Sequence, residues 1–270
     1  MADCIWYGTT DTDYGTSANW SAAPGAGDHV RLTPLYNNAI AGSDQSGTAI
    51  GDFVIEDGFA STLGSKTANL KLDPNFFLYA GTGQAFIDLH SAAITAEISK
   101  TATAGTGEHG LYLIASALTE LSITSGNVGV AAVHNTTATV TTANINGGRA
   151  TFGEGTTLAT LNVYGGTVII RCPVTTVNVF SGQVTLEEQA AITTLNISGG
   201  GGVTYNSTGT IATANLTGGG FLDCTEVGLA RTISTLKIDQ GSIRYDPDRV
   251  TISARSDPSN PVSVSVSRAY

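Results

Sequence analysis

Leu161-Asn162-Val163, Val177-Asn178-Val179 and Leu195-Asn196-Ile197 are copies of one short pattern, hydrophobic–polar–hydrophobic, each followed within three residues by a glycine. The pattern recurs at Leu121-Ser122-Ile123, Ala143-Asn144-Ile145, Ala214-Asn215-Leu216 and Leu236-Lys237-Ile238. The central residues of successive copies are 22, 18, 16, 18, 19 and 22 positions apart. A second hydrophobic stretch follows each glycine: Val128/Val130, Ala150/Phe152, Val168/Ile170, Val184/Leu186, Val203/Tyr205, Phe221/Leu222 and Ile243/Tyr245. A third precedes the next copy, at Val140, Leu158, Val174, Ile192, Ile211 and Ile233.

Three short strands in so short a period predict one turn of a parallel β-solenoid. One unit cannot bury its apolar edge alone, whereas stacked units can. Side chains alternate across a strand, so Leu161 and Val163 point inward and Asn162 outward. Coils about 4.8 Å apart make the marked stretch a rod of roughly 30 Å. The fold class read here is therefore all-β: a parallel β-solenoid with an N-terminal cap and a C-terminal strand. The variable coil length favours a right-handed β-helix. The competing reading is a β-sandwich of Thr/Gly-rich hairpins. Against it, hairpin-type turns are sparse, with only Asp57-Gly58 and Asn146-Gly147 present.

The expected organisation is a cap over residues 1–35, irregular coils over 36–120, regular coils over 121–245 and a tail over 246–270. Only 13% of the 270 residues are charged, and 12 basic against 22 acidic residues give a formal charge of -10. Such a chain is a poor nucleic-acid binder. No apolar run is long enough for a membrane-spanning helix. The first residues lack a secretory leader, and the initial Met1 points to assembly in a cytoplasm. Cys4, Cys172 and Cys224 are too few and too widely spaced for a disulfide framework or zinc site. Cys172 and Cys224 read as small buried residues.

The opening runs Trp6-Tyr7-Gly8, then Ser17-Ala18-Asn19-Trp20, then Pro24-Gly25-Ala26-Gly27-Asp28-His29-Val30. Trp6 and Trp20 are placed to cover the exposed apolar end of the first coil. This Trp…Asn-Trp…Pro-Gly-Asp-x-Val opening, over residues 6–32, resembles the start of phage-encoded and bacterial surface β-helix structural proteins. The resemblance implies a first strand leading straight into stacked coils, and a virion or surface context. It implies no catalytic residue.

Asp11-Thr12-Asp13-Tyr14-Gly15 has the alternating carboxylates of a calcium loop but lacks the later ligands, so it reads as a polar turn. Ser43 to Gly47 reads as loop. Asp73-Pro74 is expected to end the strand that starts at Leu70. Phe76-Phe77-Leu78-Tyr79, the most aromatic run, is either a core strand or a contact strand. Val262-Ser263-Val264-Ser265-Val266 alternates as a strand, suited to capping the last coil or joining a neighbour's sheet.

None of His29, His90, His109 and His134 has a partner at a metal-ligand spacing, and no catalytic motif is present. A glycosidase would need paired carboxylates. Asp88 with Glu97, or Asp223 with Glu226, are the candidate pairs. Alternation makes Glu187 and Glu188 face opposite ways. Tyr164 and Phe180 occupy the same place in adjacent coils, either stacked outside or turned inward.

The sequence thus predicts a non-enzymatic structural virion protein of a tailed phage, without cofactor or metal. A head-decoration or cementing protein binding neighbouring capsid subunits comes first, and a tail or fibre component next. A polysaccharide-degrading β-helix enzyme and a surface adhesin are the alternatives. A homo-oligomer is expected, a trimer by the phage resemblance. The contact residues expected are Trp6, Trp20, Phe76, Phe77, Tyr79, Val262, Val264, Val266 and Tyr270.

Overall fold

A computed structural model describes residues 1–103, 108–133, 135–226, 228–256 and 265–266. The chain is a β-solenoid of parallel strands and divides into two compact units, Met1–Thr141 and Thr142–Tyr270. No described helix is long and apolar enough to cross a membrane.

In the first unit, Asp3–Ile5 pairs in parallel with His29–Leu32, which pairs with Asp44–Ile55, which pairs with Leu70–Tyr79. The last of these then serves two strands, Ala85–Leu89 through its first half and Ile94–Ile98 through its second. Both of those pair with Leu111–Ile123. An aromatic series runs from the opening segment into this stack. Trp6 meets Trp20 edge-on at 4.9 Å, Trp20 meets Tyr14 at 4.7 Å, and Phe53 stacks between Tyr14 and Phe77. Trp6, Trp20, Tyr14, Phe53 and Phe77 are all buried. The indole N–H groups are satisfied as burial requires, Trp6 Nε1 donating to the Asn38 carbonyl and Trp20 Nε1 to that of Tyr14.

The loop between the tryptophans is organised by Asn19, which is fully buried. Its Nδ2 donates to Asp11 Oδ1 and to the Asp11 and Asp13 carbonyls, and its Oδ1 accepts from the amides of Thr10 and Asp11. Asp11 and Asp13 also accept from the Asp13 and Gly15 amides. The segment is therefore a polar turn whose carboxylates are engaged by the chain itself.

In the second unit each coil contributes to two parallel ladders. One stacks Thr156–Val163, Val174–Val179, Ile192–Ile197, Ile211–Thr217, Arg231–Asp239 and Val250–Ser256. The other stacks Arg149–Phe152, Thr167–Ile170, Gln183–Glu188, Gly202–Ser207, Phe221–Cys224, Ser242–Tyr245 and Ser265–Val266. The register places like on like. Leu161, Val177, Leu195, Ala214 and Leu236 form one buried column, and Val163, Val179, Ile197, Leu216 and Ile238 another. Cys172 and Cys224 lie fully inside, where burial pushes each thiol up to about 12. They act as small apolar residues.

Two local expectations fail for tertiary reasons. Asp44 to Gly47 is strand, not loop, because the neighbouring coil supplies a ladder: the Lys71 amide donates to the Ser43 carbonyl, and Lys71 Nζ lies 3.2 Å from Asp44 Oδ2. Pro74 does not end its strand, which runs from Leu70 to Tyr79. It sits between the residues that pair with Ala85–Leu89 and those that pair with Ile94–Ile98. Between those two ladders its missing N–H removes no bond to the following coil.

The corners are as tightly stacked as the strands. Gly182 has φ +81°, and a Cβ there would lie 2.6 Å from the Gly166 carbonyl oxygen on the preceding coil. Gly200 has φ +86° but open space around it. Gly182→Ala is therefore expected to lose roughly 1–3 kcal/mol or more, and Gly200→Ala less. Thermal melts of the two variants check this, and the reverse order would count against the stacked corner.

Candidate functional site

The outward side of the first ladder of the second unit is a regular polar array. Within each strand, residues two apart share a face. Thr160 and Asn162 therefore point outward around inward Leu161, and the register repeats this as Thr176/Asn178, Thr194/Asn196 and Thr213/Asn215. The asparagines form a continuous chain. The Nδ2 of Asn162 donates to Asn144 Oδ1 at 2.9 Å, Asn178 to Asn162 at 2.8 Å, Asn196 to Asn178 at 2.7 Å, and Asn215 to Asn196 at 2.7 Å. A primary amide has two N–H donors and two acceptor lone pairs. The ladder takes one of each from Asn162, Asn178 and Asn196, so the half-exposed amides retain further bonding capacity.

The next position along each coil forms a third column: Tyr164, Phe180, Ser198, Thr217 and Asp239. Tyr164 and Phe180 are 48% and 43% exposed, and their rings stack at 5.0 Å with planes 7° apart. Of the two arrangements open from sequence, the outward stack is the one found. Beyond them the array bounds a groove of about 410 Å³, lined by Asn196, Asn215, Thr217, Lys237, Ile238, Asp239 and Ser256.

Asp88 and Glu97, the first carboxylates expected to pair, do not converge. Asp88 lies on the strand Ala85–Leu89 and Glu97 on Ile94–Ile98, which stack on different halves of Leu70–Tyr79. Asp88 Oδ2 is 3.1 Å from His90 Nε2. Asp223 accepts from the Thr225 amide and hydroxyl, which closes its own turn. Glu226 gives its backbone carbonyl to buried Arg231.

Glu187 and Glu188, expected on opposite faces, instead reach the same cation. Arg171 Nε is 2.9 Å from Glu187 Oε2 and 3.4 Å from Glu188 Oε1. Alternation fails because Glu188, at the strand end, has φ +55°. Its carbonyl is thereby turned to accept from Ser207 and Thr208. Desolvation, and then a hydrogen bond with the Glu154 carboxyl, raise the Glu188 pKa above the ordinary glutamate value. Among the described residues, no group of three or more His, Cys, Asp or Glu is placed to hold a metal ion.

Four of the nine expected contact residues are interior. Trp6, Trp20, Phe77 and Tyr79 are buried within the chain, because the aromatic columns that cover and fill the first coils need them. The Tyr79 hydroxyl donates to the Gly83 carbonyl at 2.6 Å. Phe76 and Leu78 of that run are half-buried. The backbone of Ser265–Val266 pairs with Arg244 and Tyr245 of the same chain. Val262, Val264 and Tyr270 lie outside the described residues, as does His134. Sequence reasoning located each asparagine of the array but not the hydrogen bonds between them. The signal that could have found them is the T-x-N spacing repeated on the five coils from Asn144 to Asn215.

Comparison of the chain with protein-family models, curated proteins and solved structures finds no match.

Two measurements probe these geometries. Asn178→Asp replaces the donor to Asn162 with a second acceptor, so it is expected to lower stability at neutral pH by about 1 kcal/mol beyond Asn178→Ala. Equal melts for the two variants would count against the ladder. Glu188 has its pKa raised on folding. Its contribution is therefore fully present below the unfolded-state value, about 4.3, and is lost as pH rises through the folded value. Glu188→Gln should melt higher than the parent at pH 7, with the gap closing on acidification. A gap that widens toward low pH would contradict the carboxyl contact.

Proposed function

We propose that the protein is a structural, non-catalytic binding component of a virion, in first place a head-decoration or cementing protein of a tailed phage. The observation that carries this reading is how the side chains with chemical potential are spent. Asp11, Asp223 and Glu187 are engaged in turns and a cross-coil pair that hold the solenoid itself, and Asp88 pairs with His90 beside it. The outward array is neutral amide and hydroxyl, built on a packed aliphatic interior. Such a body supplies stiffness and a repeating contact surface rather than a reaction centre. The resemblance of the Trp6–Leu32 opening to phage and bacterial surface β-helix proteins supports the virion context. The acidic, low-charge composition is compatible with capsid partners carrying basic patches.

In this role the chain assembles as a symmetric oligomer, a trimer by the same resemblance, and grips neighbouring capsid subunits. Immunogold labelling with antiserum against the full chain tests the reading on purified particles. Label at regular positions on heads is the expected result, and label on tails or fibres would move the protein to the second role. Label confined to unassembled protein in the lysate would overturn both. Native mass spectrometry of the full chain checks the oligomer, with a trimer expected and a monomer at micromolar concentration counting against it.

A further inference from the structure

We infer that the outward array of the second unit is a binding site for a neutral, extended polysaccharide chain, laid along the asparagine ladder and anchored on Tyr164 and Phe180. The inference does not rest on a virion role.

The aromatic pair is the first argument. The fold does not require rings at that position, since Ser198 and Thr217 occupy it on later coils. Two adjacent coils nevertheless carry large aromatics there, stacked on each other and left 48% and 43% exposed. The equivalent corners on either side are Asn146-Gly147-Gly148 and Ser198-Gly199-Gly200, so glycines rather than bulky side chains flank the stack. Rings presented this way offer an apolar platform with a polarised face. The C–H face of a pyranose is the complement of such a platform.

The amide and hydroxyl columns are the second argument. A sugar stacked on the outer face of Phe180, turned away from Tyr164, lies toward the next coil, with its hydroxyls beside Asn178 and Asn196. These amides already have fixed orientations, because each is held by its neighbours on both sides. Their remaining donor and acceptor sites repeat about every 4.8 Å, a spacing comparable to the advance of one sugar unit in an extended glycan. A preorganised donor–acceptor row loses little entropy on binding. Past Phe180 the row enters the groove of about 410 Å³. That lies within the roughly 300–1,000 Å³ range of small-ligand sites.

Charge decides the ligand class. From Thr160 to Asn215 the two polar columns carry no charge, and Lys237 and Asp239 at the far end of the groove are of opposite sign. A phosphorylated or carboxylated chain would call for clustered Arg or Lys, and the chain as a whole has a formal charge of -10. The surface therefore fits a neutral polyol.

Affinity electrophoresis of the full chain tests this in native gels containing dextran, laminarin, hydroxyethylcellulose or galactomannan, with anionic alginate as the contrast. Retardation is expected in at least one neutral gel and not in alginate. The double variant Tyr164→Ala/Phe180→Ala is expected to weaken that binding by about tenfold or more, while its far-UV circular dichroism stays that of the parent. Asn196→Ala/Asn215→Ala should weaken it as well. Unchanged mobility in all four neutral gels, retardation by alginate alone, or retardation that survives both double variants would overturn the inference. So would a change of oligomeric state in glycan-free gels on removing the two rings, which would mark the stack as a protein contact. None of these results bears on immunogold labelling of particles, so the two readings fail separately.

Discussion

Parallel, in-register stacking is the constraint from which the rest of this structure follows. Each coil lies about 4.8 Å from the next, so every position meets its own counterpart above and below. Inward, this rewards like aliphatics: Val163 on Val179 on Ile197 on Leu216 is one buried column. At corners it penalises any added Cβ, as Gly182 against the Gly166 carbonyl shows. Outward, it rewards side chains that can bond to copies of themselves. Asparagine, with both donor and acceptor, does so, and the amide chain from Asn144 to Asn215 is the result.

The same constraint accounts for the scarcity of charge. A charged side chain repeated on adjacent coils faces its like at close range, which is destabilising. Where charged residues do meet in register, their signs are opposite. Lys71 stands between Asp44 and Asp88, and Asp223 stacks on Arg244. Arg171 draws two glutamates from one neighbouring coil. Exposed pairs of this kind contribute little energy individually. Their value lies in favouring one register over the slipped alternatives, in which like charges would meet.

The ends and irregular coils obey a different need. The apolar face of the first coil described is covered by the Trp6–Trp20 segment, itself fastened by the hydrogen bonds of Asn19. That demand draws the tryptophans inward and leaves specific contacts to other parts of the surface. A stack of aromatics left in water beside a row of oriented amides is the most ligand-like feature of the second unit. It arises where the repeat departs from its own pattern, since the aliphatic columns continue unchanged beneath it.

How much of this was legible in the chain depends on the range of the interaction. The period of sixteen to twenty-two residues, the inward aliphatics and the corner glycines follow from local alternation, which any one coil displays. They were enough to determine an all-β parallel solenoid and the outward placement of Asn162 and its equivalents. Register, burial and side-chain partnership are relations between coils, and only the tertiary structure decided them. It made Asp44 to Gly47 strand, carried a strand through Pro74 where the pairing partner changes, and turned Glu188 toward Arg171 through a positive φ. It also joined the asparagines into one ladder and stacked Tyr164 on Phe180. The physical reason is that alternation is a property of one strand, whereas a hydrogen bond or ring contact needs the distance to the next coil.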